Sequence, residues 1–424
     1  MNTGINSPEK AKVAVIGAGI VGLMTALEVQ RTGRQVVVID PGEPGGRQAA
    51  SYGNGAWIYP AAIMPVSVPG LWRKVLGYLM DKSGPFVIRW SHLPRLMPWL
   101  LRFIWSGRNW KLVEDCARVR FELCRRAVTD HQGVAAEAGV SHLLEHKGLM
   151  FIYRDKAEFL KESREWDMRR RLGVKINELD RTALVKLEPN ITERYQFAVQ
   201  VDGAHCRDPN AYCQAIADLI QKRGGEFVRA PATGFQVSNG RLEGVKVGEN
   251  IIRCEQAVVT AGIGSKKLAR AAGDRVPLES ERGYHVVLPL GGNAFSHPVM
   301  PSDGKMGITP TAKGLRIAGQ VELASVDADP DWNRAELLRG FGSRVLDLPE
   351  MKEKAIDQWM GNRPSTPDGL PCVSAAPSCH GLFYGFGHGH TGLTQAPATA
   401  KLLAALVAGK KPETDVSPMS VKRF

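Results

Sequence analysis

Lys12 to Ile16 is a short, mostly apolar run, K-V-A-V-I, that passes directly into G-A-G-I-V-G and then into L-M-T-A-L-E-V-Q-R-T-G, ending at Gly33. This order predicts a strand, a tight turn and a helix. Gln35 to Ile39 is a second apolar strand that ends at Asp40, completing a βαβ opening. Asn210 to Arg223 reads as an amphipathic helix stopped by Gly224-Gly225, and Glu226 to Arg229 begins a strand. Strands recur at Leu242 to Val247, Ile251 to Arg253 and Gln256 to Thr260, the last entering a second glycine turn, Ala261-Gly262-Ile263-Gly264. Val113 to Ala138 and Lys156 to Arg171 are charged helical stretches, whereas Arg282 to Pro289 and Leu315 to Glu322 predict strands of a separate sheet. Near the end, Ala396 to Gly409 predicts a helix closed by glycine.

Dinucleotide-type segments therefore occur in three pieces with other material inserted between them. An α/β protein of two interleaved, rigidly packed domains is expected, and 424 residues exceed one ordinary core. Hydrophobic content of 44% and 45 glycines fit a loop-rich enzyme and exclude a fibrous or disordered chain. The polar stretch Met1 to Lys12 leaves no room for an apolar signal region, which predicts a cytoplasmic protein. Cys116, Cys124, Cys206, Cys213, Cys254, Cys372 and Cys379 contain no C-x-x-C pair, so free thiols are expected and no metal site.

The formal net charge of +12 changes the picture through its distribution. Between Asp81 and Glu114 no acidic residue occurs, while Lys82, Arg89, Arg95, Arg102, Arg108 and Lys111 share the stretch with Trp90, Trp99, Trp105 and Trp110. Leu93 to Trp105 is too short and too charged to span a bilayer, yet it has the composition of an interfacial segment. The alternative is an internal helix whose tryptophans pack on the protein. The basic residues accompany aliphatics and prolines in no recognised nucleic-acid module, so no nucleic acid is expected.

In the opening unit, Gly17 makes the turn, Gly19 admits a pyrophosphate and Gly22 lets helix and strand pack closely. Asp40, 18 positions after Gly22 and followed by Pro41, is placed to hold a ribose hydroxyl. A dinucleotide site follows. Far away in sequence, Gly361 to Pro371 reads G-N-R-P-S-T-P-D-G-L-P, and Gly385 to Pro397 reads G-F-G-H-G-H-T-G-L-T-Q-A-P. Arg363 precedes proline and is expected to project from a stiff loop as an anion receptor. Tyr284 and His285 lie in a predicted strand, where neighbours face opposite ways, and Tyr284 is favoured for the pocket. His388 and His390 sit in the glycine loop, where an imidazole can hydrogen-bond a ligand or accept a proton. Glu322 is a weaker pocket candidate, and Asp368 is expected to cap the proline-rich turn.

With these blocks and Ser51-Tyr52-Gly53-Asn54-Gly55, the chain resembles the D-amino-acid oxidase superfamily of FAD enzymes from end to end. Within it the likeness is to the bacterial D-amino acid dehydrogenases and, closer still, to glyphosate oxidoreductase. It rests on Ile20-Val21-Gly22, Met97-Pro98-Trp99-Leu100, Ser141-His142-Leu143, Glu281-Arg282-Gly283-Tyr284-His285, Trp359-Met360-Gly361 and Gly387-His388-Gly389-His390. The resemblance implies a Rossmann-like FAD-binding domain of the glutathione-reductase type (1–85, 197–272 and 355–424). Interleaved with it is an α+β substrate-binding domain (86–196 and 273–354) with a mostly antiparallel sheet and a membrane-facing segment at 85–110.

It also implies that Gly17, Gly19, Ile20, Val21 and Gly22 take the FAD pyrophosphate and that Asp40 and Pro41 lie by the adenosine ribose. Ser51, Tyr52, Gly53, Asn54 and Gly55 would run along the diphosphate and flavin, Ala232 beside adenine, and Ala261 and Gly262 under the nucleotide. Gly389, Gly392, Leu393 and Thr394 would meet the flavin. No cysteine lies between Gln358 and Asp368, so noncovalent FAD is expected. Arg363 would grip the substrate carboxylate. The implied reaction is oxidative deamination or C–N cleavage of an amino acid or secondary amine carboxylate, such as a D-amino acid, iminodiacetate or glyphosate, by hydride transfer to flavin N5. Electrons would pass to quinone or oxygen, and the protein would sit peripherally on the inner face of the bacterial inner membrane if segment 85–110 is a membrane foot. An NAD-dependent dehydrogenase and a non-catalytic flavin-binding protein are the competing readings.

Overall fold

A strand buried on both faces needs apolar side chains on both, and V-A-V-I of the first strand meets that condition: Val13, Ala14 and Val15 have no solvent exposure. In the computed structural model, which describes residues 12–71, 84, 86–291 and 294–424, this strand (Lys12–Ile16) is central to a six-stranded sheet. The order is Glu226–Arg229, Gln35–Asp40, Lys12–Ile16, Gln256–Val259, Leu382–Phe386, Cys372–Ala375, parallel except for the last pair. Leu23, Met24 and Leu27 of helix Ile20–Arg31 share one core with Ile216 and Ile220 of Pro209–Lys222 and with Ala396, Ala400 and Leu403 of Gly392–Val407. On the opposite face, Phe235 and Val245 of a separate antiparallel meander (Ala232–Ser238, Arg241–Val247, Asn250–Arg253) pack with Leu268. Two of the strands expected in the dinucleotide unit belong to this meander.

The second large sheet has nine strands and is mostly antiparallel. Its centre is Glu279–Leu288, flanked by Gly314–Leu323 and Asp357–Ser365. Phe197–Val201 also pairs within it. The strands that follow the expected limits at 197 and 355, Phe197–Val201 and Asp357–Ser365, both hydrogen-bond within this sheet. Between Arg282↔Glu322 and Tyr284↔Gly319, two residues, Gln320 and Val321, oppose Gly283 alone. This β-bulge puts non-glycine Gln320 at φ 62°, a conformation that costs about 1–3 kcal/mol.

The charged stretches each divide in two, Trp110–Cys124 with Ala127–Glu137 and Lys156–Leu160 with Ser163–Arg171. The last helix begins at Gly392, four residues before the expected start, and carries Pro397 inside it. Proline near a helix start usually marks the first turn, which is why the sequence suggests Ala396. Pro397 has no N–H for the Leu393 carbonyl, and buried His131 takes its place, with Nε2 2.8 Å from that oxygen. All seven cysteines are free thiols.

Burial drives His131 to a pKa of about 4, and burial followed by the nearby Arg120 charge drives His388 to about 3. Both folded values lie below the ordinary value near 6.5. The unfolded chain therefore takes up protons as pH falls through 6.5 while the folded chain does not, so stability is present above 6.5 and declines with acid. The slope is about 1.4 kcal/mol per pH unit for each histidine, or about 4 kcal/mol for the pair between pH 6.5 and 5. Burial also lowers His205 to a pKa of about 4 and lowers His285, so both add to the same acid response. Urea midpoints at these two pH values test this; His131→Gln is expected to remove roughly a quarter to a third of the acid sensitivity, and an equal response in the variant would refute the assignment.

Candidate active site

A cavity of about 1080 Å³ runs from the glycine turn of the six-stranded sheet to the nine-stranded sheet. At its first end Gly17 has φ 112°, and a Cβ there would lie 2.5 Å from the Thr260 carbonyl oxygen. Gly22 is tighter still, since a Cβ would lie 1.9 Å from the Gly17 oxygen. At Gly19 the nearest protein atom to such a Cβ is Ser51 Oγ at 3.4 Å, and Gly19 lines the cavity. Helix Ile20–Arg31 starts there with no acidic residue in its first turn, and its Ile20 amide donates to Ser51 Oγ at 3.0 Å. Its amides and dipole favour an anion. Asp40 accepts hydrogen bonds from the Ala18 and Gly42 amides at 2.7 and 2.8 Å and lines the cavity with Pro41. Ala232, Ala261 and Gly262 line the same end.

Ser51 to Gly55 is pinned along the cavity from the nine-stranded sheet. Arg316 donates to the Tyr52 and Asn54 carbonyls, each at 3.2 Å, and Thr309 to the Gly55 carbonyl at 2.9 Å. Trp359 is wedged against this segment: a Cβ on Gly53 or on Gly361 would fall 2.0 Å from its ring. On the other wall, helix Gly392–Val407 starts without a side-chain cap or an acidic first turn. Gly389, Gly392, Leu393 and Thr394 line the cavity there, and Thr394 Oγ1 donates to the Trp57 carbonyl at 3.0 Å.

Arg363 closes the far end. It projects from the strand Asp357–Ser365, not from a loop, and its guanidinium lies over Gly283, where a Cβ would be 2.1 Å away. It donates to the Gln320 carbonyl at 2.8 Å and to the Gly319 carbonyl at 3.3 Å, so the bulge supplies the acceptor that aims it. Burial lowers its pKa from the ordinary guanidinium value while the Glu281 charge opposes the shift. On one side the cavity wall is apolar, with Val66, Val68, Leu71, Phe86, Leu100 and Phe103; on the other it carries Glu162, Glu165, Met300 and Lys305. Lys305 is ion-paired to Glu162 at 2.8 Å.

Four expected site residues do not line the cavity. Gly22 packs helix on strand, and Tyr52 turns its ring to Arg47 and Asp357. Tyr284 lies on the wrong face of its strand: its hydroxyl donates to Glu322 at 2.6 Å and its ring meets Trp332. His285 is on the other face but sits behind Gly53, with Nδ1 3.1 Å from the Gly53 oxygen. Burial lowers its pKa. Glu322 is likewise outside, between Tyr284, Arg282 and Arg89. His388 lines the cavity but is anchored to Thr399 at 3.0 Å, a loop-holding role. Asp368 accepts from the Leu370 amide and pairs with Arg423, holding its turn as expected. Glu281 and Gln320 are two polar lining residues near Arg363 that the sequence does not single out. The alternation of Tyr284 and His285 would have found Glu281, had the face of His285 been taken as the cavity side.

The cavity fits FAD on its own features: a chamber of ample volume, glycines along its lining, two helix starts free of acidic residues and no lining cysteine. Gly17, Gly19 and Val21 would hold the pyrophosphate, and Gly392 to Thr394 the flavin, which supplies a two-electron acceptor when bound. The family model for FAD dependent oxidoreductases (DAO) matches residues 12–406. The chain is 43% identical over 423 residues to a D-amino-acid oxidase of Bradyrhizobium diazoefficiens, covering 98% of this chain and 100% of that one. It is 29% identical to a D-amino acid dehydrogenase of Paramagnetospirillum magneticum, covering 97% and 99%. Among solved structures, glycine oxidase from Geobacillus kaustophilus aligns with a TM-score of 0.74 at 20% identity, covering 98% and 99%. With a dinucleotide cradle and an arginine at opposite ends of one chamber, this chain belongs to the DAO family of FAD-dependent oxidoreductases acting on amino acids or amines.

Proposed function

We propose that the protein deaminates D-amino acids with apolar side chains, and the observation that carries this reading is Arg363 at the end of the flavin chamber. A guanidinium offers paired donors to a carboxylate and fixes its tilt, which aims the Cα–H bond at the flavin. Hydride leaves Cα, the nitrogen lone pair forms the C=N bond, and water converts the imine to a keto acid and ammonium. The apolar wall beside Arg363 suits an aliphatic or aromatic side chain. A second anionic group, as in iminodiacetate or glyphosate, would meet this wall or a cluster in which the Glu162 and Glu165 carboxylates outnumber Lys305, itself already paired to Glu162. The D configuration is supported by the name of the 43% identical relative.

Among the described residues no helix is long and apolar enough to cross a membrane. Helix Leu93–Ser106 buries Trp99, whose indole donates to the Ser365 carbonyl, but exposes Met97, Leu101 and Trp105 in one stripe with Trp90 nearby. Arg95, Arg102 and Arg108 are exposed beside it. This stripe supports peripheral contact with an anionic bilayer, each basic group adding about 1 kcal/mol; Lys82 lies outside the described residues. An anaerobic flavin-bleaching screen tests the substrate: D-leucine and D-phenylalanine are expected to exceed their L-enantiomers, iminodiacetate and glyphosate by at least about tenfold in kcat/KM. Faster bleaching by glyphosate would overturn the substrate assignment. Oxygen uptake and quinone reduction, each measured with and without anionic vesicles, identify the electron acceptor, and vesicle binding unaffected by salt would count against the basic stripe.

A further inference from the structure

At the Arg363 end of the chamber, Glu281 and His390 form a pair that neither the carboxylate receptor nor the flavin cradle employs. Glu281 comes from the buried strand Glu279–Leu288 and is 4% exposed. His390 comes from the glycine loop and presents its ring to the same chamber, with Nε2 hydrogen-bonded to Glu281 Oε2. Burial opposes the Glu281 charge, but His390 and then Arg363 outweigh it and hold the carboxyl below the usual carboxylate range. An ionised carboxylate only accepts, so Nε2 carries a proton, and in the neutral ring it is Nδ1 that holds the lone pair. The other charged or titratable groups around the pair are Arg363, Glu279 with its partners His92 and Lys266, and neutral His388 with Arg120 behind it.

We infer that His390 is the base that takes the proton from the substrate ammonium, and that Glu281 is a positioning residue that fixes its tautomer and ring orientation. The inference rests on the reading of Arg363 as carboxylate receptor. An ammonium has no lone pair with which to form C=N. One N–H bond breaks and its proton passes to His390 Nδ1, leaving the electron pair on nitrogen. The Cα–H bond then breaks with its pair going as hydride to FAD, and the nitrogen pair makes the iminium bond; the amino acid loses two electrons and FAD gains them. Without Glu281, the imidazole loses an acceptor that orders it and a negative charge that favours its protonated form.

The experiment is anaerobic flavin reduction by D-leucine as a function of pH in the FAD-loaded wild type, Glu281→Gln and His390→Gln. Binding of 4-methylpentanoate, the leucine skeleton without nitrogen, is read from the flavin spectrum of each. His390→Gln is expected to lower the reduction rate about 100-fold at pH 7 and to make it rise tenfold per pH unit up to the ammonium pKa of free substrate. Glu281→Gln is expected to move the acid limb to lower pH by about 1 unit, because the charge favouring protonated His390 is gone. Both should bind 4-methylpentanoate no more weakly than wild type and retain full FAD. A His390→Gln profile that parallels wild type overturns the base assignment, and an unmoved acid limb in Glu281→Gln overturns its positioning role. Failure of wild type to bind 4-methylpentanoate or to be reduced by D-leucine overturns the carboxylate-receptor reading and this inference with it.

Discussion

Arg363→Ala is expected to yield a yellow, FAD-loaded protein whose kcat/KM for D-leucine is lower by roughly 10³-fold. Two charge-assisted hydrogen bonds at about 1.5–3 kcal/mol each set that scale. The flavin cradle is built from other residues, so FAD content should not fall. The substitution also leaves the Gln320 and Gly319 carbonyls without their donor and Glu281 without a facing charge. Arg363→Lys separates the two effects, because it restores charge without the planar fork. Lysine is expected to recover about tenfold of the loss, with most of the defect in KM for D-leucine. Wild-type kinetics in the alanine variant would remove Arg363 from the site.

The second large effect distinguishes glycines that serve the fold from one that serves the ligand. Gly22→Ala places a Cβ 1.9 Å from a backbone oxygen of the same turn, which neither partner can relieve without moving helix from strand. An aggregated or unfolded product is expected. Gly19→Val meets no protein atom closer than ordinary contact from its first carbon. It should fold, with a near-native far-ultraviolet spectrum, yet be isolated without FAD, because the added methyls occupy the pyrophosphate position. FAD content by absorbance, set against a urea transition for each variant, checks both. A folded Gly22→Ala protein or a normally yellow Gly19→Val protein would refute the respective assignment.

How much of the fold and the site is legible in the sequence follows from how local each feature is. The opening βαβ unit is legible because its strand, turn and helix are contiguous and each glycine has a separate steric reason. Arg363 is legible as a cavity residue on extended backbone because Pro364 keeps it out of a helix, although that backbone became a sheet strand rather than a loop. Tyr284 and His285 are not resolved by alternation alone. Their phase depends on which face of Gly283 receives the Arg363 side chain, and that depends on a bulge in a strand about 40 residues away. Glu281 is hidden for the same reason: an acid in a buried strand looks anomalous until its partner arrives from the loop at His390. The start of the last helix is hidden by Pro397, whose missing donor is replaced by His131, 262 positions from the Leu393 carbonyl it serves. The sheet to which Phe197–Val201 and Asp357–Ser365 belong is not legible either, because pairing rather than composition decides it.

The strand order of the parallel sheet has a consequence for biosynthesis. Residues 12–40 leave the ribosome early, but their neighbour Gln256–Val259 and the flavin-facing helix start at Gly392 come much later. At about 5–20 residues per second, roughly 20–70 s separate the first half of the chamber from the last. A nascent chain thus carries an apolar strand edge and an incomplete nucleotide cradle until the helix starting at Gly392 has been made. FAD is consequently a ligand of the finished polypeptide, and cellular yield should respond to flavin supply and chaperone capacity together rather than to either alone.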